Sequence, residues 1–329
     1  MSGKIQVTSS ANVKFKIVEE KKLGINIDFI YDAKKDFINQ LKNCITSEMV
    51  PIEVIHREKK VSRKEPYKNI GIKADSVNRA IRKCLIGIDD ICFETNVEYG
   101  GFFERNTKSS FDFSVYDRIY NYCEFWNYNR NNRNLENILN DTIQENDASS
   151  WKDFLEEYNP QRNVNVTYQG SNTCNIVGEI QMGNWAMIYK DMFRLLRAKN
   201  SVKVNLYIYI TNTGLLKKKL SDNIVTYKKA LLEFQENLDI IDVPMLIIAI
   251  DIDEPNEDEF KKAYDIVKRK QKLIVDKKFT IKEIKELDNH GITVDIMENL
   301  AANYMNGEWF ENDICRIGCF ENNHWIMEF

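Results

Sequence analysis

Several features that would assign a chain quickly are missing here. The seven cysteines (Cys44, Cys84, Cys92, Cys123, Cys174, Cys315 and Cys319) are odd in number, scattered, and nowhere arranged as a C-x-x-C pair. That spacing argues against a disulfide framework and for a reducing compartment, so a cytoplasmic protein is expected. No apolar run approaches the length that spans a bilayer, and the opening residues MSGKIQVTSS carry no apolar leader core, so no membrane role is expected. There are no internal repeats and no low-complexity tracts. Histidine is scarce, with three in the chain, and neither His56 nor His290 sits in a nucleophile pattern, which speaks against a Cys/His hydrolase. Cys315, Cys319 and His324 offer zinc three ligands without a fourth. The acidic stretch 251–259 lacks the glycine and ligand spacing of a calcium loop and is expected to be solvated.

What is present is an ordinary soluble composition, 43% hydrophobic and 29% charged over 329 residues, long enough for one elaborated domain or two. A net charge of -4 neither implies nor excludes a nucleic-acid partner, because such binding depends on local basic patches. Alternation predicts strands within residues 4–31, at Ile5 and Val7, at Val13, Phe15 and Ile17, and at Ile25, Ile27 and Phe29. Helices are expected over 32–44 and 75–84. The basic stretch 57–68 (Arg57, Lys59, Lys60, Arg63, Lys64, Lys68) is expected to be a solvated loop, with a phosphate-contacting loop as the alternative. Residues 97–114 suggest a hairpin turning near Asn106. The Tyr-, Asn- and Arg-rich stretch 120–134 suits a satellite core followed by a polar loop; stacking on bases is the alternative. An acidic helix is expected over 135–158, a strand over 163–168, and helices over 259–273, 280–287 and 294–305.

The most informative stretch is Ile176-Val177-Gly178-Glu179-Ile180-Gln181-Met182-Gly183-Asn184-Trp185. Its near-alternation predicts a strand with Glu179 and Gln181 on one face. Gly183-Asn184 ends it, and a helical period follows over 185–198. There Trp185, Ile188, Met192, Leu195 and Leu196 form the apolar side, and Lys190, Arg194 and Arg197 recur on another. Residues 202–210 alternate cleanly as a further strand, and 243–250 form an apolar run expected of a strand covered on both faces. A helix is expected over 224–238. A carboxylate and a strand carbonyl suit a hard cation such as magnesium, which assists phosphodiester hydrolysis. On spacing alone, however, E-x-Q on a strand is far more often structural.

The longer pattern is more specific. Gly178-Glu179-Ile180-Gln181-Met182-Gly183-Asn184-Trp185, the helix through Arg194, the strand from Lys203 to Thr211, and Asp242-Val243-Pro244 leading into an apolar strand together resemble the BglII/BstYI group of type II restriction endonucleases. These are relatives of BamHI within the PD-(D/E)xK nuclease fold. The resemblance covers roughly residues 163–251. It implies an α/β fold with a mixed central sheet flanked by helices, and a restriction-endonuclease-like core with N- and C-terminal elaborations. On that layout residues 1–150 form a DNA-contacting or dimerisation elaboration, 151–255 the nuclease core and 256–329 a helical extension. Glu179 is implied as a magnesium ligand or as the residue that orients the water, the Ile180 carbonyl as a second ligand, and Gln181 as the residue in the place other nucleases give to lysine.

The family places a further aspartate on the preceding strand, and no Asp or Glu lies between Glu157 and Glu179. Asn165, flanked by Val164 and Val166, best matches that slot as metal ligand and catalytic residue, with Asn163 and Tyr168 as weaker matches. Three explanations stay open: an inactivating Asp-to-Asn change, a shifted alignment, or a carboxylate from elsewhere such as Glu156. DNA contact is expected from Lys190, Arg194, Arg197 or Lys199, in a homodimer on palindromic double-stranded DNA. The rivals are a DNA-binding protein on the same fold that does not cut, and an unrelated α/β binding module.

Overall fold

A computed structural model describes residues 6–57, 70–104, 110–135, 137–138, 148–221, 223–253, 257–303, 309–311, 316–321 and 324–326. In chain order these form β1 (Ser9–Leu23), α1 (Ile27–Ala33), α2 (Lys35–Ser47), β2 (Met49–His56), β3 (Ile70–Ile72) and α3 (Ala74–Leu85). Next come β4 (Ile91–Glu98), β5 (Gly101–Glu104), β6 (Phe111–Val115), α4 (Arg118–Asn129) and α5 (Ala148–Tyr158). The middle of the chain gives β7 (Ile176–Gln181), α6 (Met187–Lys199), β8 (Leu206–Asn212), α7 (Gly214–Lys219), α8 (Tyr227–Glu236), α9 (Leu238–Ile241) and β9 (Met245–Ile252). Last are α10 (Glu257–Val275), α11 (Ile281–Asn289), α12 (Val294–Asn303), β10 (Trp309–Glu311), β11 (Arg316–Glu321) and β12 (His324–Ile326). The fold is α/β, with a mixed sheet flanked by helices. No helix among the described residues is long and apolar enough to cross a membrane.

The chain divides into two compact units. The larger comprises Lys14–Met49 and Val77–Asp253. Its strands run in the order β1–β9–β8–β7–β6–β4–β5. Strands on both sides of residue 150 thus share one sheet. The centre, β7–β8–β9, is parallel, and the crossovers carry helices, as parallel neighbours require. Val177, Tyr207, Tyr209, Met245, Ile247 and Ala249 pack with Ile188, Met192 and Leu195 of α6 and with Tyr227, Ala230 and Phe234 of α8 in one apolar core. Every residue of β7, β8 and β9 is buried. For β7 this exceeds the one-faced burial that its mixed polar and apolar letters suggest. Gly178 is needed where β6 and β7 meet: a Cβ there would stand 2.1 Å from the Phe113 ring across the ladder, and overpacking of that kind costs about 1–3 kcal/mol.

Three sequence expectations change. Residues 27–33 are helix α1, not strand, because Gly24 (φ 92) and Asn26 (φ 61) turn the chain through the left-handed region after β1. The expected hairpin over 97–114 does not pair its own arms: β4 lies between β5 and β6, with Val97 opposite Phe102 and Phe93 opposite Phe113. Residues 163–168 form no strand. Their backbone is tied instead to α4: Val166 N donates to Asn127 Oδ1 (2.7 Å), Asn127 Nδ2 donates to the Val166 carbonyl (2.8 Å), and Trp126 Nε1 donates to the Val164 carbonyl (3.3 Å). With the Val164 carbonyl and both backbone groups of Val166 taken by α4 side chains, those positions are not free to join a ladder.

The smaller unit comprises Met1–Val13, Val50–Ser76 and Glu254–Phe329. Within it β2 pairs antiparallel with β3, and Val267, Ile284, Leu287, Met297 and Leu300 join α10, α11 and α12 in a second core. A Thr280–Glu283 capping box starts α11. His56 is engaged by Tyr264, through a 2.8 Å contact from Nδ1 to the hydroxyl and a stacked ring. Strands β10, β11 and β12 form a small antiparallel sheet. Most of the basic stretch 57–68, and Cys315 of the three zinc-ligand candidates, lie outside the described residues.

Candidate active site

The site is built where β6 and β7 part. The two strands pair antiparallel through Phe113↔Gly178, Ser114↔Val177 and Val115↔Ile176. Beyond Phe113 the ladder stops, and the Asp112 side chain takes over the pairing role, its Oδ2 accepting from Ile180 N at 2.6 Å. Carried one residue past its last pair, that register places Asp112 next to Glu179 of β7, where the bond from Ile180 N holds it, and Asp112 falls opposite Glu94 between two paired positions of β4. Glu94 has φ 50, a left-handed conformation that a non-glycine residue holds only at a cost and that is enriched at functional positions. One side chain bridges part of this row: the Arg82 guanidinium of α3 donates to both Asp112 and Glu94. Burial alone would lower the Arg82 pKa, but these two carboxylates raise it overall.

The other half comes from α6. Glu179 and Gln181 share the sheet face that α6 covers, as the alternation of β7 requires. Glu179 is buried and accepts from Arg194. Gln181 uses both ends of its amide: Nε2 donates to Asp191 Oδ2 (3.0 Å), and Oε1 accepts from Gly183 N (2.9 Å) at the turn into α6. Asp191, 1% exposed, also accepts from the Tyr209 hydroxyl at 3.3 Å and lies 3.6 Å from Arg194. Strand β7 and helix α6 are therefore joined by a closed polar network under the carboxylate row.

Burial pushes the Asp191 carboxyl up to about 6, against the hydrogen bonds from Gln181 and Tyr209, which lower it. The folded chain thus holds this proton more tightly than the unfolded one, whose carboxyl titrates near 3.8. Its contribution to stability is present in full below that pH and is lost as the pH rises through about 6. Asp191→Asn keeps an acceptor for Gln181 and Tyr209 and removes the titration. Its unfolding free energy in urea is expected to vary less with pH across that window than the wild type's; equal slopes would rule the coupling out.

The expected site residues fall in different places. Glu179, Ile180, Gln181 and Arg194 come together. Lys190 and Arg197 lie on the exposed side of α6, and Lys199 is committed to the end of α9, its Nζ donating to the Ile240 carbonyl at 2.7 Å. Asn165 is exposed in the irregular segment tied to α4 and does not pair with β7, so the strand expected to carry it to Glu179 is absent. Glu156 is an exposed residue of α5, 3.5 Å from Lys152 in an i,i+4 pair. The carboxylate beside Glu179 is Asp112, and Arg82 and Asp191 join it as unforeseen members. Phe-Asp-Phe-Ser-Val (111–115), an acid inside an apolar alternation, was the available signal. Among the described residues no cluster of three or more His, Cys, Asp or Glu side chains is arranged to hold a metal, so two carboxylates would need carbonyls and waters to complete a shell.

Comparison with known proteins follows this geometry. No curated protein matches the chain. Among solved structures, the crystal structure of restriction endonuclease BglII complexed with a DNA 16-mer is similar at 12% identity and a TM-score of 0.36, over 73% of this chain and 79% of that one. The family model of restriction endonuclease BglII/BglIII matches residues 77–250, which include most of α3 and all of β4, β6, β7 and α6. Because that match takes in more than half of the chain and both strands that carry the paired carboxylates, the chain belongs to the BglII/BglIII restriction endonuclease family.

Proposed function

We propose that the chain is a sequence-specific double-stranded DNA endonuclease of the type II restriction class, hydrolysing phosphodiester bonds at a short palindromic site with Mg2+. The observation that supports this most directly is the side-by-side placement of Asp112 and Glu179 where β6 and β7 separate. Their oxygens, with the Ile180 carbonyl, are the hard donors that magnesium takes, so the residues fit that ion. Bound there, it would polarise the phosphate and lower the pKa of an attacking water. The protein's own part is orientation. Asp112 is held by Ile180 N and Arg82, and Glu179 by Arg194. Gln181 acts as a positioning residue, spanning Gly183 and Asp191 and so fixing β7 against α6.

The non-cutting alternative rested on an asparagine in the place of the second carboxylate; Asp112 beside Glu179 favours the cutting reading. A palindromic target calls for two copies related by a two-fold axis. Trp185, just before α6, and Tyr189 on it are exposed and meet edge to face with ring centroids 5.6 Å apart, and they are the surface we assign to the second copy. Incubating the chain with DNA long enough to hold every short palindrome, in Mg2+ and in chelator, tests the reading. Discrete fragments in Mg2+ alone are expected. Binding without fragments would favour the non-cutting protein, and neither would leave an unrelated module.

A further inference from the structure

A cavity of about 130 Å3 opens beside α6, lined by Lys190, Arg194 and Arg197 on the helix and by Asn96, Val97 and Phe111 on the sheet. It is several times the ~30 Å3 that one water occupies, room for a phosphoryl group with its waters. Its charge is one-sided. Neither Lys190 nor Arg197 forms an ion pair among the described residues. The Arg194 side chain is 10% exposed; one of its terminal nitrogens serves Glu179, and its Nε is buried with no hydrogen-bond partner. Carboxylates surround that guanidinium, Asp191 at 3.6 Å among them, but no residue lining the cavity is acidic, so the uncompensated charge there is that of Lys190 and Arg197.

We propose that this cavity is a phosphoryl-binding subsite next to, and separate from, the Asp112–Glu179 pair. Lys190 and Arg197 take the anion's oxygens through charge-assisted hydrogen bonds. Because the same Arg194 holds Glu179, the subsite would set a phosphate's position relative to the paired carboxylates. The DNA backbone and free phosphate are the two sources of such a group, and the two arms of the test distinguish them. Its assignment to DNA rests on the nuclease reading above, whereas the anion site does not.

Calorimetric titration of the full chain with inorganic phosphate, without metal or DNA, tests the site. Saturable binding is expected, weakened at least about tenfold in the Lys190→Ala/Arg197→Ala double variant and largely kept in Arg197→Lys. Both positions are exposed, and an unchanged melting temperature would confirm that the double variant folds. Absence of saturable binding, or equal binding by the double variant, overturns the proposal. A second arm measures duplex DNA binding against salt. If a backbone phosphate fills the subsite, the slope of log K against log salt flattens by about 1 or more in the double variant. An unchanged slope with phosphate binding lost upholds the subsite and assigns it to free phosphate. Failure of the nuclease reading would show separately, as no cleavage with phosphate binding intact.

Discussion

Glu179→Gln is expected to cut Mg2+-dependent DNA cleavage by on the order of a hundredfold or more while leaving the chain folded. The amide keeps the shape of the side chain and an acceptor for Arg194, but removes the negative charge that a hard cation requires. Glu179→Ala should behave differently. Glu179 and Arg194 are both nearly buried, with side chains 5% and 10% exposed. Deleting Glu179 strips the buried guanidinium of its close partner and leaves only Asp191 at 3.6 Å, a loss of up to about 3–5 kcal/mol. Alanine is thus expected to lose cleavage and stability together, glutamine cleavage alone. Single-turnover cleavage and urea unfolding of the two variants separate the effects. Wild-type cleavage by the glutamine variant would remove Glu179 from the chemistry.

The second large effect is expected at Asp112. Asp112→Asn should lower cleavage by a similar order, since it deletes the carboxylate that shares the parting of β6 and β7 with Glu179. Arg82 would keep Glu94 as an ionic partner, and an amide oxygen can still accept from Ile180 N, so the fold is expected to survive. Asn165→Asp, by contrast, should change the rate little, because residue 165 is an exposed position tied to α4. The comparison is decisive in either direction. If Asn165→Asp speeds cleavage by orders of magnitude while Asp112→Asn is silent, the carboxylate pair has been placed on the wrong strand.

Within β7 and α6 the local letters were sufficient. The alternation through Glu179 and Gln181 puts both on one face, and the Gly183–Asn184 break turns the chain into a helix that carries Asp191 and Arg194 back over that face. Even so, the network was only half legible. Asp191 lies on α6 between exposed Lys190 and buried Met192, with nothing in its neighbourhood to mark it as the partner of Gln181 and Tyr209. Arg194 belongs by spacing to a cationic stripe and by structure to Glu179. A helical period states which residues share a side; it does not state what that side meets.

The sequence by itself determined the elements whose periods are local: the β7 strand, the amphipathic α6, the wholly buried β9, and the family resemblance those elements carry together. Tertiary structure alone decided which strand stands beside β7. The segment nearest in sequence, 163–168, has the letters of a strand, but Asn127 and Trp126 take the backbone groups of Val166 and the Val164 carbonyl, and it contributes no ladder. The partner is β6, with residues 116–175 intervening. Strand pairing is a contact between distant segments, selected by how backbone groups and faces are satisfied across the whole sheet, and it leaves no period in either segment to announce it. Asp112 therefore reads as one more acid in an aromatic stretch until the sheet sets it beside Glu179.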